Sequence, residues 1–383
     1  MKIFTKIIIF FCMSVILFVP KLLADEKIKI GLLLPLTGKD KDVGNSIVKS
    51  VRLAINKIDN INIEIIPKDT ASDPKTTLKN AKELYESGVR IIIGPVFNKN
   101  LIYLDQLQDI IFLSLTNKII ENPKNIISAG INATSQLNTI ARFQKLNKLK
   151  NTIFLIPEEN HKKEIQLAIR QSKIKNQKIY YYKTDPTKLT NQIEKITNYR
   201  QRKQNVEDEI KRLENSEENN KISKIENLKK RDTIGRLNFD SVIISDFDQT
   251  LKSITTSLLY TDVSPKNIYF LTLNQWFDES LLYEKNLQPI YFPSINKKNY
   301  DKFIEDYFDK FDEYPNQLSF LSYDLIGLVY FLIAQNDFIV DHRIFLKKNK
   351  FKGKVGIFEI KNNKINHILN FYKVEDNSFK KIF

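Results

Sequence analysis

The 383-residue sequence predicts an α/β protein of two lobes, each a largely parallel sheet covered by helices. Three observations predict it. Short apolar strands alternate with amphipathic helices from Lys27 onward. The alternation restarts after Gly130. A hydrophobic content of 42% in a chain of this length is enough to fill two cores.

In the first unit, residues 27–35 (KIKIGLLLP) form an apolar run with the length of a buried strand. Residues 44–58 place Ile47, Val51, Ala54, Ile55 and Ile58 on one helical face. A strand at 61–67 follows. Asp73-Pro74 then opens a helix, with proline in the first turn, and Gly88 is its expected stop. Further strands are expected at 89–93, 110–115 and 125–129. The second unit reads as helix 135–149, strand 152–156, helix 161–172 and strand 178–182. Strands at 241–245, 268–273 and 289–292 come next, then helices at 300–311 and 318–334. A closing hairpin of 355–360 and 364–372 turns at Asn362-Asn363.

One stretch departs from this rhythm. Residues 189–231 contain neither proline nor glycine and are dense in charge. Leu189, Ile193, Ile196, Val206, Ile210 and Leu213 keep coiled-coil spacing, and Ile222, Ile225 and Leu228 resume it after a polar break. Two helices folded into an antiparallel hairpin are expected. Ten basic and eight acidic residues from Arg200 to Asp232 nearly cancel, which suits a solvated helical pair rather than a nucleic-acid arm.

The N-terminus reads as a separate segment. Lys2 and Lys6 precede an apolar run from Ile7 to Val19, and Leu22-Leu23-Ala24 offers a small residue for cleavage. This is the order of a secretory signal peptide over residues 1–24. The only cysteine, Cys12, lies inside the run after two phenylalanines. No disulfide, thiol chemistry or lipid anchor is therefore expected. The formal charge is +15, but lysine, asparagine and isoleucine are abundant throughout and form no basic tail. Chain-wide composition explains this charge, and export makes nucleic acid a poor partner. Catalysis has little support. His161, His342 and His367 are scattered, with no metal-ligand spacing, and no Gly-x-Ser-x-Gly elbow or Walker-type loop occurs. No cofactor is expected.

Several segments carry a family likeness. IKIGLLLPLTG (28–38), the spacing to the Gly44 helix and VRIIIGPVFNKN (89–100) resemble the type I periplasmic-binding proteins of the leucine/isoleucine/valine-binding class. IPKDTASDP (66–74), LTLNQWFDES (271–280), EYPNQLSFLSYDLIGL (313–328) and FKGKVGIFEI (351–360) are similar to the penicillin-binding protein activators within that superfamily, as is the charged insert followed by RLNFDSVII (236–244). The resemblance implies two Rossmann-like lobes joined by three crossovers. Residues 27–130 with 293–348 would form the first lobe. Residues 131–292 with 349–383 would form the second, which carries the 189–231 insertion.

The resemblance also implies a cleft site. In amino-acid binders of this superfamily, two loops of the first lobe hold the ligand carboxylate. The matching positions are Phe97 and Asn98, then Ser114, Thr116 and Asn117. The usual serine-rich loop has become Phe-Asn-Lys-Asn. The second lobe normally supplies a tyrosine and an acid toward the ligand amine. Asp246 and Asn274 stand at the matching strand ends, and Asn274 carries no charge, so the amino-acid pattern is incomplete. Tyr323 and Asp324 match the family's Tyr-Asp on a helix and read as packing and cleft-rim positions. The expected role is regulation of peptidoglycan synthesis in the periplasm, with a penicillin-binding protein as partner. The alternative is a solute receptor whose partners are transporter membrane subunits and whose cleft holds an amino acid or related small molecule. Neither role is enzymatic.

Overall fold

A computed structural model describes residues 27–58, 63–118, 123–159, 161–175, 177–273, 276–361 and 364–383. The expected leader, Cys12, Asn274 and the 362–363 turn lie outside the described residues.

The first sheet starts from β1 (Ile28–Leu34), β2 (Ile63–Asp69), β3 (Ile91–Ile93), β4 (Ile111–Ser114) and β5 (Ile126–Ser128), all parallel, in the order β2-β1-β3-β4-β5. Alternation in β1 sorts its side chains. Ile28, Ile30, Leu32 and Leu34 join one core, and Leu33 joins the other. The first core is shared with Ile47 and Val51 of α1 (Lys41–Ile55), the second with Ala81 and Leu84 of α2 (Pro74–Glu86). The Asp73 side chain accepts from the Thr76 amide at 2.8 Å, so α2 is capped where the sequence places its start.

The second sheet repeats the plan. β6 (Thr152–Pro157), β7 (Gln177–Tyr182), β8 (Ser241–Ile244), β9 (Tyr269–Thr272) and β10 (Ile290–Ser294) are parallel, in the order β7-β6-β8-β9-β10. Both lobes thus have the doubly wound order 2-1-3-4-5, whose switch point lies beside the first strand. α3 (Ala133–Leu146) and α4 (Lys162–Gln171) share one core with the sheet through Leu137, Ile140, Phe154 and Ile243. On the other side, Leu189 and Ile193 of α5 (Pro186–Ile196) join Val242 and Ile244.

Two helices of the charged stretch stand apart from this core, α6 (Tyr199–Glu214) and α7 (Lys221–Lys229). The stretch therefore makes three helices, not the expected two. The break falls at Asn198, which adopts a left-handed conformation (φ 50°) that asparagine tolerates. α5 is a core helix of the second lobe, and the projecting arm is α6–α7 alone. Its coiled-coil seam is incomplete: Leu213 is buried, but α7 buries no residue fully and Ile222 is 72% exposed. Arg202 anchors the base of the arm. Its buried guanidinium donates to the Thr233 hydroxyl (2.9 Å) and the Thr261 carbonyl (2.7 Å).

α8 (Asp248–Tyr260) was not expected from the sequence, although Leu251, Ile254 and Leu258 are buried at helical spacing. After a single turn, α9 (Ser280–Tyr283), the chain returns to the first lobe as α10 (Lys297–Phe311) and α11 (Gln317–Ala334). α11 has the length and apolar composition of a membrane span, but it is largely buried and packs along α1.

The C-terminal strands correct the expected lobe boundary. β11 (Asn349–Lys352), β12 (Ile357–Lys361) and β13 (Lys364–Ile368) extend the first sheet, through Lys364 beside Ser128 of β5. Only β14 (Asn370–Glu375) and β15 (Ser378–Lys381) join the second, where β14 runs antiparallel to β10. The physical reason is edge satisfaction. β5 and β10 each end a parallel sheet with unpaired backbone groups, and one C-terminal segment supplies a partner to each. The chain thus crosses between lobes three times, near Gly130, after Ser294 and at Leu369.

Candidate functional site

A cavity of about 750 Å3 lies between the lobes, at the carboxyl ends of the parallel strands. The loops after β3 and β4 bring Phe97, Asn98, Thr116 and Asn117 to it from the first lobe. Across from them, the first turn of α4 contributes His161 and Glu164, the start of α8 contributes Phe247 and Asp248, and Trp276 follows β9.

Four of the expected residues, Phe97, Asn98, Thr116 and Asn117, therefore line one cavity. Ser114 and Asp246 do not. Ser114 is fully buried, and its hydroxyl donates to the Pro95 carbonyl at 2.8 Å and accepts from the Thr116 amide at 3.3 Å. It braces the loop instead of facing the cleft. Asp246 accepts a hydrogen bond from the Tyr182 phenol within its own lobe. Burial raises the Asp246 carboxyl above its usual range, an effect the Tyr182 hydrogen bond and His161 partly offset. Burial, with the adjacent Asp246 acceptor, pushes the Tyr182 phenol well above its own range. Tyr323 and Asp324 also lie away from the cavity lining. Asp324 is a buried packing residue rather than a rim residue.

Sequence reasoning missed Lys118, His161, Glu164, Phe247, Asp248 and Trp276. The rule that found Thr116 would have found Glu164 as well, since both follow the carboxyl end of a parallel strand.

The floor of the cavity is the first crossing. Gly130 donates its amide to the Thr116 carbonyl at 3.0 Å. A Cβ on Gly130 would stand 2.4 Å from that oxygen and 2.7 Å from the Asn117 nitrogen. These are backbone atoms, so the loop would have to move. Gly130→Ala is expected to lower stability by about 1–3 kcal/mol and to shift the Thr116–Asn117 wall. Urea unfolding and the amide NMR shifts of that loop would check both parts. Beside it, the buried Asn132 caps α3 through the Ser135 amide (2.8 Å) and reaches the Ile365 carbonyl (3.3 Å). The Ser135 hydroxyl accepts from the His367 amide (3.0 Å), and the His367 ring meets the Ala129 carbonyl through Nε2 at 2.9 Å. β5, β13 and α3 are thereby fastened together at the crossing.

Residues 27–191 match the family model described as periplasmic binding protein. The chain has the type I periplasmic-binding fold. Among solved structures, that fold appears in the C-domain of LpoA from Haemophilus influenzae, a regulator of PBP1A. The two are 16% identical, with 93% of this chain and 100% of that one covered and a TM-score of 0.62. Full-length LpoA is 17% identical at a TM-score of 0.61, and the alignment covers 96% of this chain but 62% of that protein. The leucine-binding protein LivK from Thermotoga maritima is 16% identical over 93% of this chain and 98% of its own, at a TM-score of 0.56. At these identities the likeness concerns the fold alone. No curated protein matches the chain. Within this periplasmic-binding fold, no group of three His, Cys, Asp or Glu side chains gathers to hold a metal among the described residues.

Proposed function

We propose that the chain is a non-enzymatic, periplasmic regulator of peptidoglycan synthesis that docks on a penicillin-binding protein. The α6–α7 arm carries this reading. It projects from the second lobe, takes no part in the cleft, and is held at its base by the buried Arg202. The fold likeness to the LpoA C-domain and the family match support export and a binding role. The engagement of Asp246 with Tyr182 also fits, because a regulator need not hold an α-amino acid in the cleft.

The test is a pull-down from envelope extract with the whole chain and with a variant in which residues 208–228 are replaced by a short Gly/Ser linker. The shortened arm keeps Tyr199 and Arg202, which meet Tyr260 and Thr261 of the body. Recovery of a bifunctional peptidoglycan synthase by the whole chain, and its loss with the linker variant, is the expected result. Equal recovery by both would remove the arm as the docking element.

One observation favours the second reading, a solute receptor: the cavity is lined from both lobes and is large enough for a small molecule. That reading would recover transporter membrane subunits instead, and a ligand would raise the melting temperature.

A further inference from the structure

The charge inside the cleft runs against the charge of the chain. The protein carries a formal +15, yet the residues lining the cavity include three carboxylates, Glu164, Asp248 and Asp278, against one lysine, Lys118. Asp278 is already engaged, since its oxygens accept from the Ser280 amide (2.9 Å) and hydroxyl (2.8 Å). Glu164 is not so served. The His161 ring nitrogen Nδ1 is 4.0 Å away, and Lys118 acts on it from the facing lobe without forming an ion pair. The carboxylate stands in the first turn of α4, where the helix dipole favours negative charge. Even so, burial raises its proton affinity above the usual range, and neither Lys118 nor His161 cancels that effect. Aromatic side chains complete the walls. Phe97 lines the cavity from the first lobe, and Phe247 and Trp276 from the second, with Phe247 39% exposed. Aromatic side chains lining the same cavity as an under-compensated carboxylate suit a cation more than any other ligand charge.

We propose that the cleft takes a small organic cation, an ammonium or guanidinium group on a compact body, held by Glu164 against Phe97, Phe247 and Trp276. Lys118 then competes for the same carboxylate. Glu164 and Phe97 stand on opposite lobes, so a cation held between them would also join the two walls. This assignment does not depend on docking to a synthase. A failed pull-down leaves it standing, and a failed titration leaves the docking proposal standing.

The experiment is isothermal titration of the whole chain with choline and agmatine as cations, benzoate as an anion and leucine as a zwitterion. The variants are Glu164→Gln, Lys118→Met and Phe247→Ala, each first shown by circular dichroism and thermal unfolding to be folded. Saturable binding of choline or agmatine is expected, with no heat from benzoate. Glu164→Gln should weaken binding about tenfold or more, as expected when a partly buried charge loses its partner. Phe247→Ala should weaken it too, while Lys118→Met should leave it unchanged or tighten it. Absence of binding by both cations at millimolar concentration overturns the proposal. So does binding of benzoate that Lys118→Met abolishes and Glu164→Gln improves.

Discussion

Replacing Asp324 with alanine is expected to remove about 3 kcal/mol or more of stability although the residue lies away from the cleft lining. Asp324 is 3% exposed in α11. One oxygen accepts from the Lys354 amide at 2.9 Å and the other from the Val355 amide at 2.6 Å. The carboxylate thus pins the turn between β11 and β12 to the core helix. Alanine would leave both amides without an acceptor, at about 1–3 kcal/mol for each buried group. Gly353→Ala attacks the same contact from the other side. A Cβ there would fall 2.2 Å from one Asp324 oxygen and 2.6 Å from its Cγ, so the carboxylate would have to leave the two amides that hold it. It should lower the urea midpoint by a similar amount. An unchanged midpoint in either variant would show that the turn is held by other means.

The second expectation concerns acid. Asp324 and His367 are two buried groups of the first lobe with opposite protonation behaviour. Burial raises the Asp324 carboxyl to about 6, against the pull of two amide donors and Lys354. Burial lowers the His367 imidazole to about 4, partly offset by the Ala129 carbonyl. Between pH 4 and 6 the folded chain holds a proton on Asp324 that the unfolded chain has lost. Over the same interval the folded chain lacks the proton that unfolded histidine carries. Stability rises with pH where the unfolded state binds more protons. His367 therefore contributes stability that is lost as pH falls from 6.5 through 4, and Asp324 contributes stability that is gained as pH falls from 6 toward 3.8.

Each effect reaches about 2–3 kcal/mol across the window, and in the wild type they oppose one another. Asp324→Asn should unmask the loss in acid, and His367→Gln should unmask the gain. Denaturant unfolding at pH 4.5 and 6.5 gives both slopes. The other titrating groups are common to both variants, so equal slopes in the two would refute the pairing.

The fold was legible wherever hydrophobic period and length agree. The runs around β1 and β6 could not be anything but buried strands, and Asp73-Pro74 carries its own start signal. The insertion was harder. Leu189 and Ile193 share a spacing with Val206 and Leu213, so period alone joined a core helix to a solvated arm. Only the left-handed turn at Asn198 separates them. The destination of β13 was not legible at all, because a strand's sequence shows that it pairs but not with which edge. The cleft was half legible. Strand-end reasoning located Thr116 and Asn117, but it could not show that Asp246 turns toward Tyr182 or that Ser114 turns inward, since side-chain direction depends on neighbours distant in sequence. Glu164 and Phe247 also follow strand ends, but neither stands at a position to which the family likeness points.

The division of the C-terminal strands bears on how the molecule is made. Synthesis delivers β1 to β5 early, but the open edge of β5 gains its neighbour only when residues 364–368 arrive, and β10 waits in the same way for residues 370–375. A chain that lacks these strands has two unsealed sheet edges, so removing residues 364–383 is expected to weaken both lobes at once.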